Sequence, residues 1–98
     1  MNRPVHVIAR FKARPERAAE LAALVSGLLA PTRAEVGCVR YDLWRNKADP
    51  TELAMVEEWR SEADLDRHLE TPHIAHAKER LPALLAAPLE IVRFDRLG

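Results

Sequence analysis

Residues 38–60 read CVRYDLWRNKADPTELAMVEEWR, and this stretch decides the fold. Cys38–Arg45 is a strand by its β-branched and aromatic content, and alternation sets Val39, Tyr41 and Leu43 on one face. Asn46-Lys47-Ala48-Asp49-Pro50 is a turn cluster. Leu53–Arg60 is a second strand with Leu53, Met55, Glu57 and Trp59 on one face. Two strands joined by so short a polar turn pair as an antiparallel hairpin.

Upstream, Val5–Phe11 alternates as a strand, with Val5, Val7, Ala9 and Phe11 on one face and His6, Ile8 and Arg10 on the other. Pro15 opens a helix whose Leu21, Leu24, Val25, Leu28 and Leu29 form one apolar stripe. Pro31 is expected to kink or end it near Ala30, and Gly37 to stop the chain before the hairpin. Downstream, Ser61 with Asp64 three residues on reads as a capped helix start. Thr71-Pro72 repeats the signal and opens another helix, with Ile74, Ala77, Leu81 and Leu84 facing inward and Pro82 interrupting the pattern. Leu89–Leu97 is a fourth strand. The order β-α-β-β-α-α-β predicts an α+β protein, a ferredoxin-like split βαβ with an antiparallel four-stranded sheet, as one domain over residues 1–98. One sheet face is covered by the chain's own helices. The other carries Ile8, Ala54 and Val56, or else Val39, Leu43 and Leu53, and neither set is wholly polar. A second copy of the chain is the expected cover, giving a homodimer.

Composition narrows the function. Fifteen Lys and Arg balance fifteen Asp and Glu over 98 residues. That leaves no basic surplus for a nucleic-acid or membrane-surface binder. The single cysteine, Cys38, permits no intrachain disulfide and fits a reducing compartment. Met-Asn-Arg-Pro-Val-His lacks the apolar run of a signal peptide, and no stretch approaches a membrane span, so the expectation is a cytoplasmic protein. Only three glycines occur and none forms a phosphate-cradling loop.

Three motifs then stand in order: Thr32-Arg33-Ala34-Glu35-Val36-Gly37-Cys38-Val39-Arg40-Tyr41, Glu57-Glu58-Trp59, and His68-Leu69-Glu70-Thr71-Pro72-His73. The succession resembles the antibiotic biosynthesis monooxygenase family and covers nearly the whole chain. The resemblance implies a dimeric α+β barrel with a pocket between sheet and helices in each subunit. It implies an enzyme, a cofactor-independent monooxygenase acting on a small electron-rich aromatic such as a quinol or polyphenol. Members of other activity leave two alternatives open, a small-metabolite isomerase and a non-catalytic dimeric ligand-binding module. Strand one has His6 and Arg10 but no Asn, which disfavours the family's heme-degrading branch.

The residues that permit such chemistry are few. His68 and His73 titrate near neutrality and are the candidate proton acceptors, with the alternative that they only tie two short helices together. Glu57 is the third catalytic candidate, a carboxylate among apolar neighbours that would activate a histidine or itself hold a raised pKa. Trp59, Leu53 and Met55 are candidate pocket walls, and Tyr41 and Arg10 candidate donors to a substrate anion. For an anionic isomerase substrate, Arg33 and Arg40 join Arg10. Cys38 has no neighbouring base and is not expected to act as a thiolate. His73 and His76, three apart on a helix, offer two metal ligands without a third, so no metal site is expected.

Overall fold

The computed structural model describes residues 3–98. Four strands and four helices follow in the order β1 (Val5–Lys12), α1 (Ala18–Ser26), α2 (Leu29–Arg33), β2 (Cys38–Arg45), β3 (Glu52–Trp59), α3 (Glu62–His68), α4 (Pro72–Leu84) and β4 (Glu90–Phe94). The strands form one antiparallel sheet in the order β2-β3-β1-β4. This is the α+β, ferredoxin-like arrangement. The helices pack on one face only.

The inner face follows the alternation read from the sequence. Val5, Val7, Ala9 and Phe11 of β1 and Leu53, Met55, Glu57 and Trp59 of β3 are all buried. Across the sheet, Tyr41 pairs with Glu57 and Leu43 with Met55. Leu21 and Val25 of α1 and Ile74, Ala77, Leu81 and Leu84 of α4 close the core. Removing each such aliphatic side chain from water contributes roughly 1.5–3 kcal/mol.

Four local expectations are corrected. A β-bulge between Cys38 and Arg40 inserts one residue, so Val39 is exposed and Cys38, not Val39, shares the inner face with Tyr41. The first helical run breaks at Gly27-Leu28 rather than near Ala30. Pro31 then lies in the first turn of α2, where its missing N–H costs no intrahelical bond. Pro15 opens a 3-10 turn, Pro15–Arg17, ahead of α1. Pro82 sits inside α4, which continues to Leu84.

The outer face is apolar through its middle. Val56, Ile8 and Val92 are cross-strand neighbours on β3, β1 and β4, flanked by Trp44 and Phe94. Ile8, Val92, Phe94 and Trp44 are 36 to 61% exposed. Of the two sets read from sequence, Ile8, Ala54 and Val56 face outward, whereas Leu53 lies in the core and Leu43 packs against it. Every residue of β4 is exposed. Among the described residues, no helix is long and apolar enough to cross a membrane.

The start of α3 is fixed by side chains. Ser61 accepts from the Asp64 backbone N–H at 3.2 Å, and its hydroxyl donates to the Asp64 carboxylate at 3.0 Å. Asp64 also accepts from Arg60 and Arg67. Gly37, at φ +87°, turns the chain from α2 into β2 directly against Asp64. A Cβ on Gly37 would lie 2.3 Å from the Asp64 carboxyl. Gly37→Ala therefore combines left-handed strain with a clash against a tethered side chain. It is expected to destabilise the fold by about 2–4 kcal/mol, lowering Tm by roughly 10 °C or more in thermal denaturation. An unchanged Tm would show that this contact does not hold the turn.

Candidate functional site

The turn that Gly37 closes carries Glu35. Its backbone N–H donates to the Thr32 carbonyl, and its own carbonyl accepts from the Cys38 N–H. The Arg33 guanidinium anchors the same segment to β2 through the Tyr41 carbonyl at 3.0 Å. So held, the Glu35 side chain reaches the junction of α3 and α4. Its Oε2 lies 2.7 Å from His68 Nδ1 and 2.8 Å from His73 Nε2. His68 ends α3 and His73 stands in the first turn of α4. Between them, the Thr71 hydroxyl donates to the His68 carbonyl at 2.8 Å. α4 does start at Pro72, as read from Thr71-Pro72, but the Thr71 hydroxyl closes α3 instead of capping α4.

His68 is buried and packed between aromatic rings. Trp59 lies with its ring centroid 4.5 Å away, and Tyr41 meets it edge-on at 5.5 Å. Burial holds the His68 pKa below the ordinary imidazole range despite the Glu35 hydrogen bond. With the Glu35 carboxylate accepting from Nδ1–H, the hydrogen of the neutral ring is on Nδ1 and the Nε2 lone pair is free. Among the described residues, Nε2 has no hydrogen-bond partner.

His68 is part of the wall of a narrow cavity of about 60 Å³ between the sheet and α3 and α4. Most of the lining is apolar, including Val7, Ala9 and Phe11 of β1 and Leu65, Ile74 and Leu81 of the helices. The polar members are Tyr41, Glu57, His68 and, at the exposed rim, Lys78. Glu57 accepts from Trp59 Nε1–H at 2.9 Å. Burial pushes its carboxyl up to about 7. Burial likewise raises the Tyr41 phenol, which stays protonated at neutral pH.

The sequence candidates separate accordingly. His68, Glu57 and Tyr41 come together at the cavity. His73 does not line it; its ring turns to Glu35 and borders a surface groove between α1 and α4 beside His76. Glu57 does not hydrogen-bond a histidine. The carboxylate that orients His68 is Glu35, present in the first quoted motif but not picked out as functional. Its signal was a lone Glu before a turn glycine, which alone indicates only a helix end. Trp59, Met55 and Leu53 are buried but lie outside the cavity wall. Arg10 is on the opposite face of the sheet, bound to Glu52 at 2.6 Å. Arg33 and Arg40 engage Asp42, so no arginine reaches the cavity. Burial pushes the Cys38 thiol up to about 11. Of the groups that could take a metal ion, Glu35, His68 and His73 have donor atoms within 4.8 Å of one another, and His76 is not among them.

A family model described as "Antibiotic biosynthesis monooxygenase" matches residues 4–80. "Putative monooxygenase Rv0793" of Mycobacterium tuberculosis is 42% identical over 91 residues, 93% of this chain and 89% of that protein. "Putative monooxygenase YcnE" of Bacillus subtilis is 34% identical over 87 residues, 89% of this chain and 92% of its own length. The solved structure of Rv0793 superposes with a TM-score of 0.92 at 38% identity, over 97% of this chain and 96% of that one. PA3566 from Pseudomonas aeruginosa gives 0.93 at 37% identity, over 100% and 98%.

The raised Glu57 carboxyl has a stability consequence. The unfolded side chain ionises near 4.5, whereas the folded one keeps its proton up to about 7. Glu57 therefore favours the folded state fully below about pH 4.5, and that contribution is lost as pH rises through 7. Glu57→Gln keeps an acceptor for Trp59 and removes the titration. The variant is expected to match the parent at pH 4 and to exceed it by up to about 3 kcal/mol at pH 8. Urea denaturation at both pH values checks this, and a difference independent of pH would refute the burial account.

Proposed function

The chain belongs to the antibiotic biosynthesis monooxygenase family, and from that premise we propose that it is a cofactor-independent oxygenase of a small electron-rich aromatic, a quinol or polyphenol. The observation that carries this reading is the free Nε2 of a neutral, carboxylate-oriented His68 in the wall of an apolar cavity. The substrate hydroxyl gives its proton to Nε2, where the rise of charge on the ring is offset by Glu35. The phenolate then passes one electron to dioxygen. The aryloxyl radical and superoxide combine at a ring carbon, forming a C–O bond and leaving a peroxide anion. Glu57, protonated below about pH 7, is the acid in the same wall that neutralises it. Loss of the ring hydrogen and cleavage of the O–O bond release water and leave a carbonyl. Tyr41, its phenol kept neutral by burial, is the donor to the substrate anion in place of Arg10. No arginine lines the cavity and its one cation, Lys78, stands at the exposed rim, which favours a neutral aromatic over the anionic substrate of an isomerase.

An engineered apolar cavity that takes benzene measures about 150 Å³. At about 60 Å³ this one must widen to admit an aromatic ring. Ile91 of β4 and Leu89 just before it form the wall nearest the sheet edge, and β4 is held by one neighbour and exposed along its length. The apolar outer face of the sheet supports a second copy of the chain as its cover, which makes the working unit a homodimer.

Oxygen uptake by metal-stripped protein over a panel of hydroquinones and anthrones, corrected for autoxidation, tests the reaction. Saturable uptake is expected, falling by about 10²–10⁴-fold in His68→Ala. Uptake no greater than autoxidation, or unaffected by the substitution, would sink the reading. Light scattering should return twice the mass of one chain, and the mass of a single chain would remove the dimer.

A further inference from the structure

We propose that Glu35, His68 and His73 form a binding site for a first-row divalent cation of the zinc type, and that the cation, once bound, turns His68 from a proton acceptor into a proton donor toward the cavity. Two imidazole nitrogens and one carboxylate oxygen converge there from three separate elements. Zinc takes such ligands at about 2.0–2.2 Å, which in a tetrahedron places donor atoms roughly 3.4 Å apart. The two nitrogens now stand 2.7 and 2.8 Å from the oxygen and all three donor atoms lie within 4.8 Å of one another, so small adjustments of the three side chains bring them to that spacing.

Charge points the same way. Among the described residues, Glu35 has no Lys or Arg partner, although its side chain is only 13% exposed. The cluster as a whole, one carboxyl group and two imidazoles, is a donor set suited to a cation. Nitrogen-rich ligation favours zinc, cobalt or nickel over magnesium or calcium. His73, 22% exposed beside the groove between α1 and α4, gives the ion a way in. Three protein ligands leave a fourth position for water.

The consequence for His68 follows from the ring's two nitrogens. Glu35 now accepts from Nδ1–H. A cation bound at Nδ1 takes that lone pair, and the single hydrogen of the neutral ring must move to Nε2. The nitrogen facing the cavity then has no lone pair to offer. This last step rests on the reaction proposed above. The binding site does not.

The test is a titration of metal-stripped protein with zinc chloride by calorimetry and with cobalt chloride by visible absorption. One ion per chain is expected, with a micromolar or tighter Kd and the intense bands of four-coordinate cobalt. Affinity should fall by at least about 100-fold in His73→Ala and in Glu35→Gln, and stay unchanged in His76→Ala. Long-range nitrogen–proton spectra of the unmutated protein provide a readout that no folding defect can confuse. On zinc addition, His68 should change from the Nδ1–H to the Nε2–H form. No binding at millimolar metal, equal affinity in His73→Ala, or ring signals that do not move would each overturn the site. Zinc that binds as described but leaves oxygen uptake intact would overturn the acceptor-to-donor switch. Absence of oxygen uptake from the metal-free protein would count against the oxygenase reading alone.

Discussion

One carboxylate oxygen holds the site together. Glu35 Oε2 meets imidazoles that are 33 and 38 residues away in the chain. α3 spans just two turns and gains little from helix propensity alone, so its C-terminal end depends on such tertiary contacts. Hydrogen bonds to an ionised acceptor are worth roughly 1.5–3 kcal/mol each. Their value here is chiefly geometric, because they orient the His68 ring and fix which of its nitrogens carries the hydrogen. That geometry depends in turn on a backbone detail. Gly37 must pass close to Asp64, and Asp64 is itself the residue that locks the start of α3. The turn bearing Glu35 and the helix bearing His68 are thus joined at two points, one polar and buried, the other steric.

The sheet divides the remaining tasks between its faces. Its inner surface supplies Glu57 and Tyr41 to the cavity and, through Trp59, the ring that packs on His68. Trp59 is therefore a support whose indole N–H is also the hydrogen bond that Glu57 receives. The outer surface keeps its charges at the margins, where Arg10 and Lys12 pair with Glu52 and Asp49. Between them lies the row of Val56, Ile8 and Val92. A row of that kind on an antiparallel sheet calls for cover, and it is continuous across three strands.

Much of this was legible because the periods are strong. Alternation in Val5–Phe11 and Leu53–Trp59 grouped the residues that share one face of each central strand, and the spacing of Ile74, Ala77, Leu81 and Leu84 set the buried face of α4. Alternation says which residues share a face but not which face the helices cover, so Arg10 could be placed at the pocket only by guess. It also assumes unbroken pairing, which the bulge after Cys38 violates at Val39. Proline rules erred where the local helix tolerated the ring, at Pro31 and Pro82. The site was half visible. His68 and Glu57 were found as chemically capable side chains, whereas Glu35 was passed over, since its role arises from a tertiary contact that no local spacing encodes.

Burial acts on Glu57 and His68, which share the cavity wall, in opposite senses. It raises the Glu57 carboxyl and lowers the His68 imidazole, because in each case the charged form loses its hydration. Just below about pH 7 the outcome is an uncharged acid and an uncharged base sharing one apolar wall. Were the two to exchange a proton and become an ion pair, the cavity would be polarised before any substrate arrived. For the proposed reaction, keeping them neutral would leave an apolar entrance for an aromatic ring and reserve the charge separation for the moment a hydroxyl is deprotonated. Glu35 is what makes this workable, since it stabilises a positive His68 only when the ring gains its second proton. A carboxylate on the hidden nitrogen thus tunes the exposed one without entering the cavity, and the same placement is why occupation of that hidden nitrogen by a cation would reverse the ring's role.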